Sequence, residues 1–96
     1  MEFEWDDEKA AANLVEHGVS FEEATEVFID PIAVTFDDPD HSDQELREIT
    51  VGKSQGRVIL TVSHTDRDGN VRIISARLAN RKEEQSYGVG RKRNAR

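Results

Sequence analysis

Among the side chains able to do chemistry in this chain, His64 is the best placed for proton transfer. An imidazole titrates near neutral pH, so it can take or give a proton under physiological conditions. His64 sits near the end of a strand-forming run, just ahead of an Asp68-Gly69 turn. Arg47, Arg77 and Lys53 occupy comparable places at the ends of neighbouring predicted strands. A guanidinium holds phosphate oxygens through a planar, two-pronged fork, and a lysine adds a point charge. A proton carrier among such cations has the equipment to act on a phosphate ester. His64, Arg47 and Arg77 are the candidate catalytic residues, and the alternative for His64 is a strand-end residue that packs on Ile73 and does nothing else.

The remaining candidates carry weaker signals. His17 precedes Gly18 at a predicted helix end, where an imidazole meets the negative end of the helix dipole and is explained by structure. His41 lies among Asp37, Asp38, Asp40 and Asp43, but their spacing lacks the ordered ligands and closing Glu of a calcium loop. With no cysteine in the chain, thiolate metal sites and disulfides are excluded, and no metal or other cofactor is expected. Trp5 reads as a core anchor. Tyr87, near the basic strand ends if the last helix folds back, has a ring on which a base can stack.

These residues need a scaffold, and its punctuation is clear. Asp6 is placed to cap a first helix with apolar positions Ala11, Leu14 and Val15, and Gly18 ends it. Ser20 and Glu23 form a capping box for a second helix that buries Phe21, Ala24, Val27 and Phe28 and stops at Asp30-Pro31. Strands are expected over residues 32–36, 46–53, 57–65 and 71–77, with a possible short strand within 2–5. Asn80 and Glu83 then cap a final helix running to about Tyr87. The fold class is α+β: an N-terminal helical hairpin and a C-terminal helix on a four-stranded antiparallel sheet. One domain is expected over residues 1–87, followed by a basic, disordered tail over 88–96.

Turn positions predict which side chains share a face. With Gln55-Gly56 at the first turn centre, Val51 faces Leu60, Ile49 faces Val62 and Arg47 faces His64. With Asp68-Gly69 at the second, His64 faces Ile73, Val62 faces Ser75 and Leu60 faces Arg77. Arg47, Lys53, His64 and Arg77 then lie on the helix-covered side, beyond its apolar middle. A slip of one residue would reverse each affected strand.

Charge divides the chain sharply. The 96 residues carry a net charge of −7, yet residues 1–48 hold 2 Lys/Arg against 16 Asp/Glu, and residues 49–96 hold 11 against 4. A nucleic-acid backbone would dock on the basic half, because phosphate responds to local potential. The acidic half would suit a basic partner. No apolar run approaches a membrane span, and the start is unlike a secretory signal, so the chain reads as cytoplasmic.

A longer pattern joins these features. It begins with Phe3-Glu4-Trp5-Asp6, Lys9, Asn13 and His17-Gly18-Val19-Ser20-Phe21-Glu22-Glu23-Ala24. It continues with Asp38-Pro39-Asp40-His41-Ser42, Glu45, Arg47, Gly52, Ser54 and Arg57. His64-Thr65, Arg67, the run Arg72-Ile73-Ile74-Ser75-Ala76-Arg77, Ala79, Glu83 and Tyr87 complete it. In order and spacing this resembles the BrnT family, the ribonuclease toxins of bacterial type II toxin–antitoxin systems. It departs at Glu16, where members often carry a basic residue, and at Asn80, where Thr is more usual.

The resemblance implies a fold like the RelE and ParE toxins and a metal-independent endoribonuclease that arrests growth by cutting RNA. His64 would move protons, Arg47 and Arg77 would hold the phosphate, and Lys53, Arg67, Arg72 and Tyr87 would bind RNA. It also implies a BrnA-like, DNA-binding antitoxin that neutralises the toxin in a hetero-oligomer, and the complex would reach operator DNA through the antitoxin. Two other readings remain open at this point: a ParE-like gyrase inhibitor, and a non-catalytic module serving only in the repressor complex.

Overall fold

The structure is a computed structural model that describes residues 1–38 and 46–88. The part of the expected loop that holds His41, and the expected tail beyond Gly88, lie outside the described residues. The element order is β1 (Phe3–Glu4), α1 (Asp7–His17), α2 (Phe21–Thr25), a 3-10 turn (Glu26–Ile29), β2 (Val34–Asp37), β3 (Arg47–Lys53), β4 (Ile59–Arg67), β5 (Asn70–Leu78) and α3 (Arg81–Ser86). Among the described residues, no helix is long and apolar enough to cross a membrane.

The helix ends follow their capping chemistry. Asp6 accepts hydrogen bonds from the Glu8 and Lys9 amides at 2.8 and 3.1 Å, and Gly18 closes α1 at φ +70°. Ser20 accepts from the Glu23 amide at 3.0 Å, but Glu23 does not reach back to complete a box. Its carboxylate instead accepts the Ser54 hydroxyl, tying α2 to the end of β3. Asn80 and Glu83 do form a full capping box on α3.

The sheet runs β1-β5-β4-β3-β2, with β2 to β5 antiparallel and β1 parallel to β5. The sheet is thus five-stranded and mixed, where four antiparallel strands were expected, because the short N-terminal segment joins the β5 edge. On one face, α1, α2 and the 3-10 turn cover a core of Phe21, Ala24, Val27, Leu60, Val62 and Ile73. Trp5 packs edge-on to Phe21, with ring centroids 5.8 Å apart. Beneath the 3-10 turn β3 must be bare: a Cβ at Gly52 would lie 2.9 Å from that of Val27.

Helix α1 does not turn its expected stripe inward. Val15 is 89% exposed and Leu14 51%, while Asn13 is buried. The reason is an edge that needs partners. β1 pairs with β5 only at Val71 and Arg72, so further along the backbone of β5 faces α1. The Asn13 amide accepts from the Ala76 N–H at 3.1 Å and donates to the Ala76 and Val19 carbonyls at 2.8 and 2.9 Å. A buried amide that satisfies three main-chain groups outranks an apolar stripe here.

Two local events overturn the expected faces. In the first hairpin Ser54 pairs with Val58, and the loop is Gln55-Gly56-Arg57 with Arg57 in the left-handed region at φ +68°. The extra loop residue shifts the register by one, so Arg47 faces Thr65, Ile49 faces Ser63 and Val51 faces Thr61. The second hairpin turns at Asp68-Gly69 as expected, with Arg67 opposite Asn70 and His64 opposite Ile73. A β-bulge then inserts Ile74, so Val62 faces Ala76 and Leu60 faces Leu78. Both events move arginines off the helix-covered face.

Candidate functional site

Alternation along β3, β4 and β5 sorts the candidates by face. Arg47, Lys53, Arg72 and Arg77 share the face opposite α1 and α2, where α3 packs near β3, while His64 lies beneath α1, α2 and the 3-10 turn. The expected cluster of His64 with Arg47 and Arg77 is therefore not formed. His64 is 6% exposed, its ring edge-on to Phe28 at 4.8 Å. Its Nε2 lies 2.7 Å from the Thr50 hydroxyl, which in turn meets the Thr35 hydroxyl at 2.8 Å. Burial lowers its pKa to about 4, so the ring is neutral near pH 7.

The opposite face carries a shallow trough of about 380 Å³. Its floor follows from the pairing of Ile49 with Ser63 and of Ser63 with Ser75, with the bulge residue Ile74 alongside. Arg47 and Asp38 bound it at one end, and Arg77 and Thr61 at the other. Period-two alternation in β4 builds this surface: Leu60, Val62 and His64 turn to the helices, and Thr61, Ser63 and Thr65 turn away. The result is hydroxyls set between two guanidinium-bearing positions, a surface suited to phosphate and sugar oxygens.

Arg77 is held rigidly. Its two terminal nitrogens each donate to a different oxygen of Glu83 at 2.8 Å. Glu83 also accepts from Thr61 and from the Asn80 amide, both at 2.9 Å, so the capping residue of α3 doubles as the arginine's anchor. The Arg77 pair, with the Asn80 and Thr61 hydrogen bonds, outweighs burial and brings the Glu83 pKa down to about 2. The same pairing raises Arg77 further. Sequence reasoning placed Glu83 only as a cap and did not single out Asp38, Ser63 or Ser75 as site residues.

The other candidates fall elsewhere. Arg72 donates to Glu4 at 2.7 Å and, with Asn70, fastens β1 to β5; its hydrogen bond is the main cause of the lowered Glu4 pKa. Arg67 closes β4 beside the Asp68-Gly69 turn, away from the trough. Lys53 and Tyr87 meet near the first hairpin, with the ammonium 5.7 Å from the ring centroid. The Tyr87 hydroxyl donates to Asp30 at 2.6 Å. Burial would raise Asp30, but Tyr87, the Lys53 and Ile32 amides and the Lys53 charge together hold it below the usual range. Among the described residues, no three His, Asp or Glu side chains gather as metal ligands.

A family model described as the ribonuclease toxin BrnT of type II toxin–antitoxin systems matches residues 5–83. Among solved structures, the chain resembles the crystal structure of the Brucella abortus ribonuclease toxin BrnT, with a TM-score of 0.65 and 23% identity. That match covers 84% of this chain and 99% of the other, and at this identity it speaks for the fold. No curated protein matches.

Proposed function

We propose that this chain, which belongs to the BrnT family of ribonuclease toxins of type II toxin–antitoxin systems, holds its RNA in the trough of the open face. Membership makes it a ribonuclease toxin and implies an antitoxin partner. The gyrase-inhibitor and non-catalytic readings are not favoured by that membership. The observation that carries the site is the position of Arg47 and Arg77 at opposite ends of a hydroxyl-lined trough.

In this reading cleavage proceeds without a metal ion. The 2′-oxygen attacks the adjacent phosphorus to form a 2′,3′-cyclic phosphate while the 5′-oxygen departs and takes a proton from water, and Arg47 and Arg77 offset the charge that builds on the phosphate. Glu83, ion-paired and with its pKa near 2, is a poor base. Asp38 is the other carboxylate at the trough and the candidate to take the 2′-hydroxyl proton. His64 serves the scaffold. Arg72 and Lys53 extend the positive face, Arg67 and Tyr87 are peripheral RNA contacts, and the toxin domain spans residues 1–87 with a basic tail beyond.

The same reading includes a cytoplasmic location, a RelE/ParE-like kinship of fold and a BrnA-like, DNA-binding antitoxin that links the hetero-oligomer to operator DNA. Expression in bacteria without an antitoxin tests it. Wild-type chain should arrest growth and deplete RNA, and Arg47→Gln or Arg77→Gln, if folded, should relieve both. Folded arginine variants as toxic as wild type would remove the trough from the reaction.

A further inference from the structure

The aromatic residues divide by environment. Phe3, Trp5, Phe21 and Phe28 all pack in or against the core, and Tyr87 is tied to Asp30 through its hydroxyl. Phe36 is different. It sits on β2, the edge strand, and is 42% exposed. Its partner across the strands is Ile49, whose own partner is Ser63, followed by Ser75. Cross-strand partners share a face, so Phe36 stands beside the trough, at the β2 end of the row whose Ile49, Ser63 and Ser75 line it. From β2 to β5 that row reads Phe36, Ile49, Ser63, Ser75: an aromatic face, an aliphatic step and two hydroxyls. Among the described residues neither serine hydroxyl has a hydrogen-bond partner.

We infer that Phe36 is a stacking platform for one unpaired nucleobase, and that the chain therefore engages its RNA as a single strand. The inference rests on the open-face reading and deepens it. A phosphate held by Arg47 leaves its nucleotide beside the β2 edge, because Arg47 lies two residues before Ile49 on the strand that pairs with β2. A base in a duplex is stacked on both sides and cannot lie against a side chain, whereas a splayed base can. Every base has a π-face, so Phe36 contributes affinity and orientation with little sequence preference. The Ser63 and Ser75 hydroxyls, further along the row, are left for the neighbouring sugar or base edge.

The test uses two fluorescein-labelled probes whose blocked 2′-oxygens prevent cleavage: a single-stranded 2′-O-methyl oligonucleotide, and a 2′-O-methyl abasic strand of the same length. Binding is measured for wild type, Phe36→Leu, Phe36→Trp and Arg47→Gln, each checked for folding by its melting temperature. Leucine keeps the apolar bulk and removes the ring. Phe36→Leu should weaken binding of the base-bearing probe about tenfold and leave the abasic probe unchanged, Phe36→Trp should restore wild-type affinity, and Arg47→Gln should weaken both probes. If Phe36→Leu binds the base-bearing probe like wild type while Arg47→Gln weakens both, the stacking inference falls and the open-face reading stands. If Arg47→Gln has no effect on either probe, the open-face reading falls and takes the inference with it. Should Phe36→Leu fail to fold, Phe36→Ile, which also removes the ring and keeps apolar bulk on a strand, takes its place with the same expected and contrary results.

Discussion

His64 is the residue whose role changes most between sequence and structure, and its burial has a measurable cost in acid. In the unfolded chain its pKa is the ordinary 6.5, and in the folded chain it is about 4. The unfolded state therefore binds more protons between these values, and stability falls as pH drops through that window. From a shift of that size the loss by pH 5 is about 2 kcal/mol, rising to about 3 kcal/mol once both states are protonated. For a domain of this size 2 kcal/mol corresponds to a melting temperature lower by roughly 10 °C. The lowered carboxylates Glu4, Asp30 and Glu83 act in a different window. Each contributes above its ordinary pKa and is lost as pH falls through its lower folded value, mostly below pH 5. The assay is thermal unfolding at pH 7 and pH 5 for wild type and His64→Gln, whose amide can still meet Thr50. Wild type should lose about 2 kcal/mol more than the variant between the two pH values. Equal losses would refute the account of His64 as a buried, neutral scaffold residue.

Two further outcomes concern the fold. Asn13→Ala strips partners from the Ala76 N–H and C=O and the Val19 C=O, and should cost roughly 3 kcal/mol or more in urea unfolding; Asn13→Asp, which sets a carboxylate against two carbonyls, should be worse. Arg57→Gly relieves a non-glycine residue at φ +68° and should stabilise by about 0.5–1 kcal/mol in the same measurement.

Local chemistry explains which features could be read in advance. Asp6, Ser20 and Asn80 announced their helices because a capping side chain acts within three residues of itself. Asp68-Gly69 likewise fixed the tip of its hairpin. Registers failed where the deciding residue had no distinctive type. Arg57 takes a left-handed conformation usually given to glycine, and Ile74 bulges from a strand whose composition gives no warning. Each event shifts pairing by one, and with it every side chain beyond. A signal for the correct face was present in β4, where Thr61, Ser63 and Thr65 alternate with Leu60, Val62 and His64. Reading hydroxyls as one face and the rest as the core would have put His64 inside and the trough outside. The inward turn of Asn13 was beyond such reasoning, because it depends on where β1 stops.

Cleavage of a single-stranded RNA by purified protein in EDTA separates the open-face trough from His64 as the carrier of the reaction. Wild type should cut. Arg47→Gln should slow cleavage by about a hundredfold through the loss of a transition-state cation, and His64→Gln should stay within a few-fold of wild type at pH 7. An inactive but folded His64→Gln beside a fully active Arg47→Gln would contradict the account.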